Sequence, residues 1–72
     1  MGLKINVTMI VDYLLEHSMT RAQFCDKCGI YLEDLEMILE YGHTSLLIIL
    51  LISRATGLDK DALKFSEPYT IH

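Results

Sequence analysis

Helix stop signals recur along this chain and divide it into short segments. Gly29, Gly42 and Gly57 each follow a stretch whose apolar residues recur with helical spacing, and Pro68 closes the last stretch. Thr20, Thr44 or Ser45, and Asp59 stand where helix caps are expected. We expect helices over about 7–17, 21–28, 31–41 and 46–56, and a short fifth through Ala62, Leu63 and Phe65. Because strict β-type alternation is absent from the sequence, the predicted fold class is all-α.

The length of 72 residues fits a single small domain. We place the domain over 1–72, with its core at about 7–65 and a flexible tail at 66–72. Apolar residues make up 51% of the chain, which is high for a domain with so little interior. Some of them are therefore expected at the surface as a contact patch.

The charge balance points to a protein partner. A net charge of −4 has the wrong sign for a protein held on DNA phosphates, so direct DNA binding by the chain alone is not expected and a basic protein surface suits it better. The longest apolar run, from Leu46 to Ile52, is too short to span a bilayer. With no signal-peptide pattern either, we expect a cytoplasmic protein with no membrane association.

The most specific spacing lies between Thr20 and Ile38. Its apolar and small residues are spaced as in a helix-turn-helix, where a small residue lets two helices cross closely and a glycine forms the tight turn. Cys25 and Gly29 take these two roles. The apolar wedges are Phe24, Ile30, Leu35 and Ile38, with Cys28 between them.

Together with the stretch from Ser45 to Leu58, this order resembles the lambda-repressor-like helix-turn-helix family. The resemblance covers about Val7 to Phe65. It implies a five-helix domain, and it implies that the helix ending near Tyr41 occupies the position that reads the DNA major groove in family members.

The exposed face predicted for that helix is unsuited to DNA. Helical spacing places Glu33, Glu36, Met37 and Glu40 in one stripe opposite Leu35 and Ile38, and Asp34 lies beside it. The segment carries no Lys, Arg, Asn or Gln, so its carboxylates would repel phosphates. We interpret the stripe as a docking face for a basic protein surface; an acidic face exposed to solvent without a partner is the alternative.

The fourth helix carries a second candidate surface. We expect Leu46, Ile49, Leu50 and Ser53 to face inward. On another side lie Leu47, Ile48 and Leu51, which form either an apolar interface or additional core. Val11 and Leu15 on the first helix present the same two alternatives.

The residues provide no catalytic or metal-binding set. Cys25 and Cys28 form a lone C-x-x-C without a second pair of ligands, and they are expected to be core thiols. No histidine has an acid or nucleophile at catalytic spacing, and no phosphate-binding glycine loop is present in the sequence. We therefore expect no cofactor, no metal and no enzymatic activity.

An acidic chain of this size with a helix-turn-helix of this pattern is similar to the small antirepressors of temperate phages, and in particular to the modulator-of-repression antirepressors of lactococcal phages. The resemblance implies that the stripe binds the basic DNA-binding domain of a phage repressor in the bacterial host cell, with Asp12 and Tyr41 at the rim. A Cro-type DNA-binding regulator that touches the backbone through Arg21, Gln23 and Lys27 is the alternative. An oligomerisation module that uses the apolar patch is a third.

Overall fold

The computed structural model describes residues 2–64, most of which are helical. Five helices lie in this part of the chain, as the sequence predicts, together with two very short strands. The elements are β1 (Leu3–Lys4), α1 (Val7–Glu16), α2 (Arg21–Cys28), α3 (Leu32–Tyr41), β2 (His43–Thr44), α4 (Leu46–Thr56) and α5 (Lys60–Leu63). Phe65 and the tail predicted at 66–72 lie outside the described residues.

Thr20 and Ser45 cap their helices as expected, whereas Asp59 at the start of α5 makes no side-chain capping bond. The Thr20 hydroxyl accepts the Gln23 backbone N–H at 3.1 Å, and the Gln23 side chain accepts the Thr20 N–H at 2.9 Å, a reciprocal capping box. Ser45 caps α4 through the Ile48 N–H at 3.3 Å, and Asn6 caps α1 through the Met9 N–H at 3.3 Å. These bonds satisfy backbone donors that the helices leave unpaired.

The predicted apolar wedges form the centre of the core. Phe24, Leu35 and Ile38 are fully buried, and Cys25, Cys28 and Ile30 are nearly so. Gly29 ends α2 in the left-handed conformation, with φ at 73°, which a glycine adopts without steric cost. The chain can therefore turn sharply between α2 and α3, and both helices bury one face in the same core. The remaining fully buried side chains are Ile10, Ile49, Ile52 and Leu63.

The mostly helical structure agrees with the all-α prediction, to which it adds a short two-stranded antiparallel sheet. Leu3 pairs with Thr44 and Lys4 with His43, so β1 joins the segment between α3 and α4. Next to β1, Ile5 is 3% exposed, which extends the core upstream of the predicted boundary at residue 7. Strands of two residues are too short to show alternation in a sequence. The sheet is visible only through its tertiary pairing.

The orientation of α4 corrects the prediction in part. Of the four residues expected to face inward, Ile49 is fully buried and Ser53 is half-buried, whereas Leu46 and Leu50 are 47% and 40% exposed. Ile52 is the other fully buried residue of α4. The helix packs against both α2 and α5. The buried face of α4 therefore lies against α2 and α5. The sequence does not indicate this orientation, because the apolar run places nonpolar residues on every side of the helix.

Candidate protein-binding surface

The surface of α3 carries the predicted acidic stripe, by which we mean Glu33, Glu36, Met37 and Glu40. All four side chains are exposed, while Leu35 and Ile38 on the opposite face are fully buried. The core contacts of Leu35 and Ile38 thus determine which side of the helix faces outward. The structure brings these four predicted residues together on one accessible face.

The stripe carboxylates have no ionic partners within residues 2–64. No described Lys, Arg or His lies within ion-pair distance of Glu33, Glu36 or Glu40, and α3 itself contains no basic residue. Glu36 and Glu40 are four residues apart, and Glu33 and Glu36 are three apart, so they repel each other along the helix. Opposite charges brought by a partner would relieve this repulsion.

Asp34 has a structural role that the other acidic residues of α3 lack. Its carboxylate accepts the backbone N–H of Tyr31 at 3.0 Å and so caps the start of the helix. The side chain is half-buried, in contrast to the exposed stripe. Asp34 is therefore a helix cap beside the stripe, with part of its carboxylate still accessible.

Exposed apolar and aromatic side chains lie within the stripe and elsewhere on α3. Met37 is 55% exposed and Tyr41 62% exposed, as a contact role requires. Tyr31 and Leu32, at 78% and 44% exposed, are further accessible side chains at the start of α3 and were missed by the sequence reasoning. Tyr31 occupies the N-cap position without a side-chain capping bond, and an aromatic residue at a position that favours Ser, Thr, Asp or Asn is the signal that could have identified it.

A groove lies beside the stripe, between α3 and the junction of β2 with α4. Its volume is about 360 Å³, and Met37 and Asp34 form its α3 side. Ile48 is the one residue of the α4 helix in its lining. The other lining residues are Gly2, His43, Thr44 and Ser45.

The three apolar candidates on α4 do not form one patch. Leu47 is 64% exposed, whereas Ile48 and Leu51 are half-buried and pack against the core. Ile48 faces the groove beside α3, and Leu51 lines a different cleft, beside Lys27 and Arg54. Of the two alternatives for these residues, additional core therefore applies to Ile48 and Leu51, whereas Leu47 is a surface residue. Val11 and Leu15 on α1 are exposed.

The two rim candidates lie in different places. Tyr41 is at the end of α3 and lines a shallow groove with Lys4 and Val7. Asp12 lines another groove on α1 with Glu16 and Leu58, and no α3 residue contributes to that lining. The structure thus joins Tyr41 to the helix that bears the stripe and does not bring Asp12 to it.

The two cysteines are buried free thiols. Burial, followed by the neighbouring Cys25, raises the pKa of Cys28 to about 11, although Lys27 acts in the opposite direction. Burial also raises the pKa of Cys25, with smaller contributions from the Asp34 and Glu36 charges. Thiols with raised pKa values are poor nucleophiles at neutral pH. Among residues 2–64, no group of three or more His, Cys, Asp or Glu side chains could hold a metal ion.

Within residues 2–64, no helix has the length and apolar character needed to cross a membrane. Comparison of the chain with protein-family models, curated proteins and solved structures found no match. A functional assignment therefore depends on the chain's own surface, above all on the stripe and the adjoining groove.

Proposed function

We propose that this protein is a phage antirepressor, which binds the DNA-binding domain of a transcriptional repressor and blocks operator binding in a lysis–lysogeny switch. The observation that carries the proposal is the acidic stripe. Three exposed carboxylates without described ionic partners lie beside an exposed methionine on a helix that contains no basic residue. Such a face complements a surface built to hold DNA.

A lambda-repressor-like helix-turn-helix fold is part of the proposal. It is supported by the order of α2 and α3, by the left-handed Gly29 between them, and by the nearly complete burial of Cys25 at 5% exposure. In that fold α3 is the helix that would meet the major groove. The resemblance to modulator-of-repression antirepressors of lactococcal phages rests on the same helix carrying carboxylates instead.

The mechanism follows from competition for the same cations. A repressor holds operator DNA through Arg and Lys side chains that contact phosphates and guanine. Each of these cations that pairs with Glu33, Glu36 or Glu40 is withdrawn from the DNA. Charge-assisted hydrogen bonds of this kind are among the stronger polar contacts in proteins.

Direct DNA binding of the Cro type is less well supported. Among its proposed contacts, Gln23 already accepts the Thr20 N–H in the capping box, which restricts its side chain. Arg21 and Lys27 lie on α2, whereas the carboxylates of α3 would lie against the phosphates. The charge distribution therefore favours a protein partner.

The test combines a charge reversal on the stripe with an operator-binding assay. The probes are the repressor encoded in the same phage genome and its labelled operator duplex. The unmodified chain should abolish the repressor's electrophoretic shift, and Glu36→Lys with Glu40→Lys should weaken this inhibition about 100-fold or more, because like charges replace attraction. Its melting temperature should be unchanged or raised, since repulsion within α3 is removed.

The matched control is Glu16→Lys with Asp26→Lys. It makes the same change in net charge at exposed positions on α1 and α2. We expect this control to inhibit the repressor almost normally. Full inhibition by the stripe variant would refute the proposal, and a salt-sensitive shift of DNA by the chain alone would identify a Cro-type regulator.

A further inference from the structure

The groove beside α3 is lined by apolar side chains and by one carboxylate. Met37 and Ile48 supply apolar surface, and the half-buried Asp34 carboxylate lies in the same lining. No Lys or Arg among residues 2–64 contributes to that lining. A ligand suited to it has an apolar body and a neighbouring positive charge.

The groove is continuous with the acidic stripe. Met37 belongs to both, and Asp34 is the residue between Glu33 and the buried Leu35. A partner that rests on the stripe would therefore extend over the mouth of the groove. Its volume of about 360 Å³ is near the lower end of the range for small-molecule pockets, so it has room for an apolar side chain together with its flanking groups.

We propose that the groove binds one apolar side chain of the partner, of the size of Leu or Met, which is flanked by an Arg or Lys that pairs with Asp34 or the stripe. The inference rests on the proposed function and specifies the chemistry of the partner surface: an apolar residue among basic ones. It also accounts for Met37, an adaptable apolar side chain in a position where a purely electrostatic face would carry another charge.

The first experiment uses the chain alone. Resonances of the methyl groups of Met37 and Ile48 and of the Thr44 amide are followed by NMR during titration with isoamylguanidinium, which combines a branched apolar group with one cation. We expect saturable shifts at all three residues with millimolar affinity. Methylguanidinium, which has only the cation, and isoamyl alcohol, which has only the apolar group, should bind at least about tenfold more weakly.

A substitution then separates apolar contact from charge. Met37→Glu adds a negative charge to the stripe but removes one of the two apolar side chains that line the groove. Binding that depends on charge alone should become tighter, whereas the groove requires it to become about fivefold weaker. Leu15→Glu is the matched control, since Leu15 is 72% exposed on α1 and does not line the groove. We expect the control to bind isoamylguanidinium like the unmodified chain.

The results distinguish this inference from the proposed function. Absence of saturable shifts, equal binding of the three probes, or tighter binding by Met37→Glu would overturn the groove inference. The operator assay is independent of these probes. A groove that binds isoamylguanidinium in a chain that fails to inhibit the repressor would overturn the repressor as the partner.

Discussion

At the scale of single residues, the two cysteines show how an apparent motif can be part of the core. Cys25 and Cys28 are each 5% exposed, and the Cys25 thiol lies 3.7 Å from the Tyr31 carbonyl oxygen. Small side chains at these positions allow α2 to pack closely in the core. Their spacing therefore places both thiols in the packing between helices.

The raised pKa of Cys28 predicts a loss of stability at alkaline pH. The thiol titrates near 9.0 when solvated and at about 11 in the folded chain, so the unfolded state loses its proton first. Its contribution to the free energy of unfolding is complete below pH 9 and declines as the pH rises towards 11. Urea unfolding between pH 8 and pH 11 should show a steeper loss for the unmodified chain than for Cys28→Ala. Parallel curves would contradict this prediction.

At the scale of elements, α3 carries charges that oppose its own stability. Its first turn contains Glu33 and Asp34, where negative charge is favourable next to the positive end of the helix dipole. Glu40 lies in the last turn, where the dipole disfavours it, and Glu36 adds repulsion four residues away. Glu40 is therefore a costly residue for the isolated domain.

Two conservative substitutions test whether the helix dipole favours Glu33 and disfavours Glu40. Glu40→Gln should raise the free energy of unfolding by about 0.5 kcal/mol at low salt, because it removes both unfavourable interactions. Glu33→Gln should lower it or leave it unchanged, since the lost dipole interaction offsets the relieved repulsion. Urea unfolding at low and at 1 M salt would measure both, and the difference should shrink at high salt. Equal stabilisation by the two variants would rule out the dipole explanation.

At the scale of the whole molecule, the segment before α1 connects distant parts of the chain. The Ile5 N–H donates to the Gly42 carbonyl at 3.0 Å, and the Asn6 N–H donates to the Leu63 carbonyl at 2.7 Å. Ile5 also forms an isolated bridge with Lys64. These contacts link the chain's beginning to the end of α3 and to α5. They also hold β1 against β2, which borders the groove.

Truncation of Ile5 should therefore affect the entire domain. Ile5→Ala removes a buried side chain and should lower the free energy of unfolding by about 2–4 kcal/mol. This is a large part of the roughly 4–11 kcal/mol expected for a domain of this length. Leu3→Ala, at a position 41% exposed in the adjoining strand, should cost less than about 1 kcal/mol. Thermal unfolding followed by circular dichroism measures both losses. A loss for Ile5→Ala as small as the one expected for Leu3→Ala would show that Ile5 is not part of the core.

The sequence was most informative where neighbouring residues determine structure. The ends of α2 and α4 follow from Thr20, Gly29, Ser45 and Gly57, because caps and stop signals act over one turn. The exposed face of α3 could be predicted because its apolar and charged residues alternate with helical period. The same reasoning predicted only part of the buried face of α4, because Leu46 through Ile52 are all apolar and no polar residue distinguishes one side of the helix from another.

The number of helices, their approximate ends and the stripe of α3 can be predicted from the sequence, since each depends on interactions within a few residues. The pairing of β1 with β2, the burial of Ile5 and the rotation of α4 depend on the tertiary structure. It also produced the groove, whose lining residues span from Gly2 to Ile48. These features arise from contacts between segments far apart in the chain, and short-range pattern contains no information about which distant surfaces will meet.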